Sequence, residues 1–293
     1  MVVPYLKMAC KANLESKPFL KWAGGKRNIL EFILPFVPKK FNNYFEPFLG
    51  GAALFFYLKN QGILESKYVY LNDKNNELMN VYKVIRENPK EFLNELKKFA
   101  NNHSKEHFYK IRNLDRDKKA FGILSLYLRA ARFMYLNKTC FNGLCRYNLR
   151  GEFNTPLGSY KNPKIYDESL ILNAHNALKN TFITNDDFEK STQKAKKGDF
   201  IYFDPPYAPL NKTSSFVSYT DNFLENEQIR LFKHFKTLDS KGIKVLQSNS
   251  NTAFISKLYK DFKIIEIKAK RAINCKSDKR GEIVELLIKG NYE

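Results

Sequence analysis

The feature that most constrains the fold of this chain is an apolar run that ends on a carboxylate and two prolines, in the order Asp204-Pro205-Pro206-Tyr207. The preceding residues 200–203, all aliphatic or aromatic, predict a short buried strand. Proline cannot donate a hydrogen bond to a sheet ladder, so the chain must leave the sheet at Pro205. We therefore expect Asp204 at the carboxyl end of a strand, where open α/β sheets bind their ligands.

The chemistry of these four residues suits a flat ligand with an amine on its edge. Asp204 supplies a hydrogen-bond acceptor, and two prolines with a fixed φ restrict the directions of the backbone carbonyls. Tyr207 adds an aromatic face, so a nucleobase would match the set. An isolated Asp-Pro-Pro-Tyr is equally compatible with an ordinary turn that ends a strand, and other parts of the chain must separate the two interpretations.

The charge of the chain favours a polyanionic partner. Lysine and arginine number 50 against 30 for aspartate and glutamate, a formal net charge of +20. An imbalance of this size points towards nucleic acid. The lysines are spread along the whole chain, so a lysine-rich source could account for part of the bias.

Size and cysteine usage narrow the class of protein. With 293 residues, 43% of them hydrophobic, the chain can form one large globular domain or a domain with an insertion. We expect no metal site from its four cysteines and four histidines, and without a signal peptide the cysteines fit a reducing cytoplasm. The apolar runs are too short to span a membrane. We expect a soluble, metal-free, cytoplasmic protein.

Two glycine pairs occur where a nucleotide-binding fold would have them. Gly24-Gly25 leads into residues 26–34, which predict an amphipathic helix ended by a proline. Gly50-Gly51 lies between a predicted strand, 44–48, and a predicted helix, 52–58. Glycine at the start of a helix lets backbone N–H groups approach an anion closely. Neither pair completes the dinucleotide-binding fingerprint.

An acidic residue, Asp73, follows the next predicted strand, residues 67–71. Folds of this layout bind ribose hydroxyls with a carboxylate at the end of their second strand. Asp73 could instead cap the helix that begins near Lys74, and the two roles are compatible. Together with the glycine pairs, Asp73 predicts a cofactor that contains a nucleoside.

The alternation of strands and helices is interrupted from about residue 76. Residues 137–156 predict a β-hairpin around Leu149-Arg150-Gly151, in which basic and aromatic residues alternate. Such a ribbon fits the major groove of DNA, although a solvated hairpin on a basic protein would show the same composition. The helices predicted before it are 76–87, 89–101, 105–114 and 118–136, and its basic and aromatic residues are Lys138, Phe141, Arg146, Tyr147 and Arg150.

The alternation resumes after about residue 163. Residues 180–184 predict a strand that ends on Asn185-Asp186-Asp187-Phe188, and residues 211–221 predict a polar loop suited to phosphate contacts. The remaining predicted elements are helices at 168–179, 225–240 and 252–260 and strands at 243–248, 262–269 and 282–288. The last two strands are expected to pair antiparallel at the edge of the sheet.

The assembled motifs resemble the DNA adenine methyltransferase (Dam) family. Three motifs occur in the family's order, and residues 142–154 resemble its target-recognition hairpin. The resemblance runs from Phe19 to about Ile288, and the position of the insert is that of the family's α arrangement. The motifs are Phe19-Leu20-Lys21-Trp22-Ala23-Gly24-Gly25-Lys26, Glu46-Pro47-Phe48-Leu49-Gly50-Gly51-Ala52 and Asp204-Pro205-Pro206-Tyr207-Ala208-Pro209-Leu210.

The resemblance implies the Rossmann-like α/β fold of S-adenosylmethionine-dependent methyltransferases, with a mostly parallel sheet and an antiparallel edge hairpin. Residues 17–75 and 167–293 would form the catalytic domain, and 76–166 an inserted helical and β-hairpin subdomain that recognises DNA. The implied cofactor is S-adenosylmethionine, without a metal. By motif position its binding residues would be Trp22, Ala23, Lys26, Phe48, Gly50, Gly51, Asp73, Asp187, Phe188 and Asp204.

The acceptor that the resemblance implies is adenine N6 in double-stranded DNA, within the site GATC. Arg146 matches the arginine that reads guanine, and Phe141 and Asn142 match residues that enter the base stack. Phe141 stands where the family more commonly has tyrosine, so the ring is kept and the hydroxyl is lost. The other matched DNA contacts are Lys21, Leu144 and Pro156.

The catalytic residues that the resemblance implies are Asp204, Pro205, Pro206 and Tyr207. Adenine N6 is a poor nucleophile because its lone pair is delocalised into the ring. Asp204 and the Pro205 carbonyl would accept its two hydrogens and aim the lone pair at the methyl group. Tyr207 would stack on a base flipped out of the duplex.

Several other functions stay open on sequence alone. A cytosine-N4 methyltransferase performs the same chemistry but more often has serine in place of Asp204, and an adenine methyltransferase could have another recognition sequence. RNA methylation is less favoured, because a groove-reading hairpin suits B-form DNA. A DNA-binding protein with a dead site would be expected to lack part of the Asp204–Tyr207 motif or a glycine pair. We expect a monomer associated with the nucleoid.

Overall fold

The computed structural model describes residues 15–209, 223–270 and 282–293, and a seven-stranded sheet organises them. The strands lie in the order β3-β2-β1-β4-β5-β7-β6; β7 is antiparallel to both of its neighbours and the other pairs are parallel. The predicted fold class, with its antiparallel edge hairpin, is confirmed. The strands are β1 (Tyr44–Glu46), β2 (Val69–Asn72), β3 (Thr181–Thr184), β4 (Phe200–Phe203), β5 (Lys244–Ser250), β6 (Lys263–Lys270) and β7 (Glu282–Lys289).

Most of the helices begin at a residue whose side chain accepts a backbone N–H of the first turn. Asn75, Asn88 and Ser104 do so for three helices of the predicted insert. No helix in the described ranges has both the length and the apolar character needed to cross a membrane. The helices are α1 (Leu30–Ile33), α2 (Ala53–Asn60), α3 (Asn76–Glu87), α4 (Pro89–Asn101), α5 (Lys105–Arg112), α6 (Lys118–Gly122), α7 (Leu126–Thr139), α8 (Glu168–Leu178), α9 (Phe188–Ser191), α10 (Glu225–Ser240) and α11 (Ala253–Leu258).

The chain reverses its direction across the sheet between β1 and β4. From β1 it proceeds outward through β2 to β3, and from β4 it proceeds through β5 in the other direction. The connections that follow the adjacent strands β1 and β4 therefore run to opposite sides of the sheet, and a crevice forms beyond the carboxyl ends of these two strands. The motif that begins at Asp204 follows β4 directly, so the topology places it at this crevice.

Strand β4 is buried on both faces of the sheet, as its uninterrupted apolar sequence predicts. Phe200 and Tyr202 pack in one hydrophobic cluster, together with residues of the predicted insert. Ile201 and Phe203 point to the other face, where they pack with Phe235 of α10. This burial on both faces anchors the strand that precedes Asp204.

Helices α3 to α7 lie between β2 and β3 in the chain and pack mainly on one another. Helix α7 contacts α3, α4 and α5. Helix α3 also packs against α8 and β3, so it joins this helical group to the sheet.

Two predicted helices are broken in the structure. Residues 26–34 form a 3₁₀ turn (Lys26–Asn28), then α1, then a second 3₁₀ turn (Leu34–Phe36) that contains Pro35. Proline is tolerated there because the first turn of a helix needs no N–H donor at that position. The predicted helix 118–136 ends at Gly122 and restarts after Ser125, whose hydroxyl accepts the Leu128 N–H.

Candidate active site

The carboxyl ends of four parallel strands carry the predicted site residues. In the register of the sheet, Glu46 of β1 lies beside Leu71 of β2, and Asn72 lies beside Thr184 of β3. Strand β4 lies on the other side of β1 and delivers Asp204. Phe48, Asp73, Asp187 and Asp204 each follow one of these ends within three residues, so the fold brings four separate stretches of sequence to one edge.

Asn72, which the sequence analysis did not single out, ties three of these ends together. Its Nδ2 donates to the carbonyls of Pro47 at 3.1 Å and Asp186 at 3.0 Å. Its Oδ1 accepts from the Thr184 hydroxyl and the Asp186 N–H, both at 2.8 Å. All the donors and acceptors of this buried amide are therefore used, which fixes the spacing of the loops after β1 and β3. The signal in the sequence that could have identified it is an asparagine directly after the predicted strand 67–71.

Asp204 pairs with the lysine of the first glycine turn. Lys26 Nζ lies 2.8 Å from Asp204 Oδ1, and the Lys26 side chain is almost fully buried. The same ammonium donates to the Gly24 carbonyl at 2.6 Å and lies 4.6 Å from the centre of the Tyr207 ring. The Lys26 ammonium therefore contacts both the Asp204 carboxylate and the face of the Tyr207 ring. Through this one side chain, the structure joins the first of the three sequence motifs, which ends at Lys26, to the third, which begins at Asp204.

The pKa of Asp204 is raised to about 6. Burial is the largest cause, because the charged carboxylate loses water; Lys26 opposes it through charge and hydrogen bonding, and the nearby charge of Glu285 adds to the rise. The carboxyl group is therefore mostly ionised near neutral pH. In that state it can only accept hydrogen bonds, which is the role that an exocyclic amine requires.

Tyr207 is held at both ends of its side chain. Its hydroxyl donates to Glu285 Oε2 of β7 at 2.8 Å, and burial raises its pKa well above the ordinary value. The neutral phenol therefore keeps this bond throughout the physiological range. Among the described residues, no hydrogen bond occupies the carbonyl of Pro205, which lies between Asp204 and this ring in the sequence.

Glu46, a second buried acid of the site, ends β1 in the second glycine motif. Its Oε2 accepts the Tyr44 hydroxyl at 2.7 Å, and it is 3% exposed. Burial raises its pKa to about 8, which the bonds from Tyr44 and the Phe55 N–H reduce only in part and the charge of Asp204 reinforces. Glu46 is thus a largely neutral acid beside an ionised one. The sequence analysis did not assign it a role.

Asp73 braces the second glycine turn rather than capping a helix. Its Oδ2 accepts the Gly50 N–H at 3.0 Å and its Oδ1 the Asn75 N–H at 2.9 Å. The N-cap of α3 is Asn75, which accepts the Leu78 N–H at 3.0 Å, so the alternative in which Asp73 caps the helix is wrong. Burial raises the pKa of Asp73 to about 6, against the lowering effect of the two N–H bonds.

The indole of Trp22 lies against the Gly50-Gly51 turn. A Cβ atom added at Gly50 would lie 2.6 Å from Trp22 Nε1, and one at Gly51 would lie 3.3 Å from Trp22 Cβ. Gly50 also has a φ of +47°, which side chains disfavour. The turn therefore requires glycine for two reasons, conformation and close approach. Ala23, Gly24 and Gly25 continue from the tryptophan to Lys26.

Asp187 and Phe188 form the far wall of the strand edge. Asp187 caps α9 by accepting the Glu189 N–H at 3.0 Å, and it pairs with Arg230 of α10. The guanidinium of Arg230 lies 4.3 Å from the centre of the Phe188 ring, and the Phe48 ring lies 5.5 Å from the same ring. Two aromatic rings and a carboxylate are thus brought together from two strand ends and one helix, with Phe188 itself buried.

The predicted hairpin forms its turn but not an extended two-stranded ribbon. Its pairing is confined to the isolated bridges Cys140–Leu157 and Tyr147–Phe153. The Asn148 N–H donates to Glu152 at 2.9 Å across a three-residue loop that ends on Gly151, whose φ is +68°. Residues 141–143 form a 3₁₀ turn instead of continuing a strand, since Asn142 and Gly143 have φ values of +53° and +66°.

A buried ion pair in the helical group takes the place of the missing ladder bonds. Asp115 Oδ2 accepts the Phe153 N–H at 2.8 Å and lies 2.8 Å from Arg132 Nη2. Arg116 donates to the Phe153 carbonyl at 2.7 Å, and Lys118 donates to the Gly151 carbonyl at 3.0 Å. Long-range polar contacts of this kind leave no local pattern in the sequence. They hold the hairpin against α5, α6 and α7.

The residues predicted to contact DNA lie along this hairpin and beside it. Arg146 is half-buried, and its Nε donates to Asn154 Oδ1 at 2.8 Å. Phe141 is 40% exposed, with its N–H donating to the Pro156 carbonyl at 2.9 Å, and Asn142 is exposed next to it. Leu144 is partly exposed beyond the 3₁₀ turn. An aromatic and an arginine are thus presented on one short segment.

Lys21 connects the hairpin to the strand edge. The backbone of Lys21 and the amide of Asn137 exchange two hydrogen bonds, at 2.9 and 2.7 Å. Its ammonium lies 3.9 Å from the centre of the Tyr160 ring, and its Cβ would be 2.5 Å from a Cβ added at Gly143. Trp22, the next residue in the chain, contacts the Gly50-Gly51 turn. The predicted DNA contacts and the predicted cofactor-binding residues therefore meet at two consecutive residues, Lys21 and Trp22. The predicted phosphate loop at 211–221 lies outside the described residues.

Comparison with known sequences identifies one matching family model and several similar proteins. The family model described as D12 class N6 adenine-specific DNA methyltransferase matches residues 22–273. The chain is 46% identical over 291 residues to the type II methyltransferase M.MjaIII of Methanocaldococcus jannaschii, covering 94% of this chain and 99% of that one. It is 44% identical over 281 residues to the type II methyltransferase M1.LlaDCHI of Lactococcus lactis subsp. cremoris, covering 95% and 96%. It is 34% identical over 287 residues to a DNA adenine methylase of Haemophilus influenzae, covering 96% of each chain.

Proposed function

Because this chain belongs to the D12 class of N6 adenine-specific DNA methyltransferases, we propose that it methylates adenine N6 within GATC in duplex DNA, with S-adenosylmethionine as donor. The observation that carries the proposal is the arrangement around Asp204. An ionised carboxylate, a rigid loop of two prolines and the Tyr207 ring meet at the carboxyl end of a central strand, next to two glycine turns.

Asp204 and Pro205 supply the acceptors that adenine N6 needs. The Asp204 carboxylate and the Pro205 carbonyl would each take one N6 hydrogen, which favours a more tetrahedral nitrogen. The Lys26 ammonium at 2.8 Å keeps the carboxylate ionised by offsetting part of the cost of its burial. Tyr207, fixed by Glu285, would stack on the target base after it leaves the duplex and offset part of the unstacking cost of about a few kcal/mol.

The residues at the strand edge fit the donor. When bound, S-adenosylmethionine supplies an electrophilic methyl group on a sulfonium, so we propose that no metal is needed. Asp73 has one N–H bond on each oxygen and keeps lone pairs for ribose hydroxyls. Gly50 and Gly51 let the Trp22 indole lie directly against their turn, and the Phe48 and Phe188 rings lie together beside Asp187. Trp22, Ala23 and Lys26 would line the methionine end.

We assign recognition of the duplex to the segment around residues 137–156, within an insert that spans 76–166. Arg146 would read guanine through a bidentate contact, and Phe141 with Asn142 would fill the space that the flipped base leaves. Leu144, Pro156 and Lys21 would complete the contacts. The net charge of +20 supports binding to a polyanion. We further propose that the enzyme acts as a monomer at the nucleoid.

A methyl-transfer assay tests this function. Radiolabelled S-adenosylmethionine is incubated with GATC duplexes and with scrambled duplexes of equal composition, and the product nucleosides are separated. We expect N6-methyladenine from GATC alone. N4-methylcytosine would show that the acceptor is the other exocyclic amine, and methyladenine from every duplex would contradict the GATC assignment.

Asp204→Ala is the matched variant in this assay. We expect it to lose at least about 90% of turnover, corresponding to at least about 1.4 kcal/mol of barrier, while cofactor and duplex affinities change little. An Asp204→Ala enzyme that keeps more than about a tenth of wild-type turnover would show that the carboxylate is not the acceptor.

A further inference from the structure

Three buried side chains hold the loop that follows Asp204. They are Gln228 of α10 and Asn249 and Ser250 at the end of β5, and none is more than 5% exposed. We refer to these three residues as the loop anchor. They are distant in sequence from the loop they contact, and no motif in the sequence marks them.

The loop anchor binds the backbone on both sides of Tyr207. Gln228 Nε2 donates to the Pro206 carbonyl at 2.8 Å. Asn249 Oδ1 accepts the Ala208 N–H at 3.1 Å, and Ser250 Oγ donates to the Ala208 carbonyl at 2.6 Å.

The orientation of both amides follows from this chain of bonds. Asn249 Oδ1 accepts two N–H groups, from Ala208 at 3.1 Å and from Ser250 at 2.9 Å, so the oxygen must face the backbone. Asn249 Nδ2 then faces Gln228 Oε1 at 2.9 Å, which leaves Gln228 Nε2 for the Pro206 carbonyl. Reversing either amide would set donor against donor or acceptor against acceptor. The loop therefore has one favoured position relative to α10 and β5.

The two prolines explain why the loop needs side chains to hold it. Pro205 and Pro206 have a fixed φ but no N–H, so the backbone cannot anchor them by donating to the sheet. The ψ angle stays free and decides where each carbonyl points. The bond from Gln228 fixes the peptide plane before Tyr207, and the bond to Asn249 fixes the plane after it. With the hydroxyl held by Glu285 at 2.8 Å, the ring is fixed at both ends.

We propose that Gln228, Asn249 and Ser250 are positioning residues for methyl transfer, which set the Tyr207 ring and the adjoining carbonyls in the orientation that the target adenine requires. This inference rests on the proposed function. The loop anchor does not touch the reacting atoms; it acts through the backbone of residues 206–208. A base stacked on a ring that can tilt would still bind, but its N6 would be misaligned with the donor methyl group.

Gln228→Leu tests the proposal, because it removes the amide with little change in volume. We expect the single-turnover rate constant at saturating cofactor and duplex to fall about 10- to 100-fold, since misplacement by about 1 Å costs a transfer reaction about that much. Equilibrium affinities for duplex and for S-adenosylmethionine should stay within about twofold of wild type. Ser250→Ala, which removes one oxygen, should give a smaller loss of the same kind and serves if Gln228→Leu folds poorly.

Tyr259→Phe is the matched control. Its hydroxyl donates to Gln247 Oε1 of β5 at 2.9 Å, so the variant loses one buried hydrogen bond to the same strand without touching the loop. It should lower the melting temperature as Gln228→Leu does, yet keep the wild-type rate. Two outcomes would overturn this inference but leave the proposed function intact. In the first, the wild type is active and both Gln228→Leu and Ser250→Ala keep its full rate. In the second, Tyr259→Phe loses rate as Gln228→Leu does. A wild type that leaves adenine unmethylated would overturn the proposed function as well.

Discussion

At the scale of single residues, three carboxyl groups at the strand ends set the expected response to pH. Asp204 and Asp73 have pKa values raised to about 6, and Glu46 has one raised to about 8. Burial is the largest cause in all three, but the neighbours differ: a lysine beside Asp204, two backbone N–H groups at Asp73, and a tyrosine hydroxyl and one N–H at Glu46. Each group therefore has a separate consequence for activity or stability.

The first prediction concerns the pH dependence of the transfer step. Because Asp204 must be ionised to accept from N6, the single-turnover rate should be full well above pH 6 and fall as pH decreases through about 6. Lys26 lowers the pKa of Asp204, so Lys26→Met, measured at saturating cofactor, should move the midpoint to higher pH. A rate that is flat from pH 5 to 8, or a midpoint that moves down in the variant, would contradict the role of the pair.

The second prediction concerns stability at Glu46. Its folded-state pKa of about 8 lies above the ordinary value of 4.5, so the folded protein holds a proton that the unfolded chain releases between these values. The stability this contributes is complete below pH 4.5 and is lost as pH rises through about 8. Glu46→Gln, which keeps the shape without the ionisation, should melt near the wild-type temperature at pH 5 and above it at pH 9. Parallel melting curves for the two proteins across this range would show that Glu46 is not protonated.

At the scale of elements, the hairpin at 137–156 owes its position to side chains from helices. The buried Asp115–Arg132 pair and the bonds of Arg116 and Lys118 hold it where a longer strand ladder would otherwise be needed. Arg146 lies on the arm of this hairpin and Arg150 in its exposed turn. The two arginines carry the same charge in different settings, so they make a matched pair for experiment.

The third prediction separates base reading from charge at these two positions. Arg146→Ala should lower kcat/KM on GATC duplexes by about 1–3 kcal/mol in free-energy terms and change it little on duplexes altered at the guanine. Arg150→Ala should weaken binding to all duplexes about equally and reduce the salt slope by about one. Measuring kcat/KM on GATC and on single-substitution duplexes distinguishes the two. An equal loss on every duplex for Arg146→Ala would leave it as a positioning charge.

At the scale of the whole molecule, residues 19–26 join the hairpin to the catalytic edge. Within this segment Lys21 bonds to Asn137 of α7, Trp22 packs on Gly50, and Lys26 pairs with Asp204. A shift of the helical group relative to the sheet would therefore displace residues at the site itself. The segment proposed to recognise DNA and the proposed catalytic residues are therefore connected through these eight residues.

The fourth prediction tests this link at Gly143. Its φ is +66°, and an added Cβ would lie 2.5 Å from Lys21 Cβ and 3.2 Å from the Asn137 carbonyl, so neither neighbour can yield without moving the backbone. Gly143→Ala should weaken duplex binding and slow transfer, while affinity for S-adenosylmethionine changes less. Gly151→Ala is the control, because Gly151 has a φ of +68° and no atom within 4 Å of the added Cβ. Equal effects of the two variants would indicate backbone strain alone.

The local pattern of the sequence was enough to predict the seven strands of the sheet, with ends within two residues of those in the structure. Residues 200–203 are apolar throughout and stop at two prolines, so a buried strand that ends at Asp204 follows from hydrogen bonding alone. Helices α3, α4 and α10 have the predicted limits, because the 3.6-residue periodicity lies within each segment and α3 and α4 also have asparagine caps. The predicted strands also placed Asp73 and Asp187 just after strand ends. Because parallel strands present the same end to one edge of a sheet, the two residues were expected at the same edge.

Only the tertiary structure decided what surrounds these residues. The pairing of Lys26 with Asp204, the anchoring of the loop by Gln228, and the ion pair beneath the hairpin each join segments that are far apart in the chain. The helix predicted at 26–34 is divided into a short helix between two 3₁₀ turns, and the hairpin has its turn and two isolated bridges but no longer ladder. Burial raises the pKa values of the acids for the same reason: loss of water depends on every segment that packs around a group, and no single stretch of sequence records it.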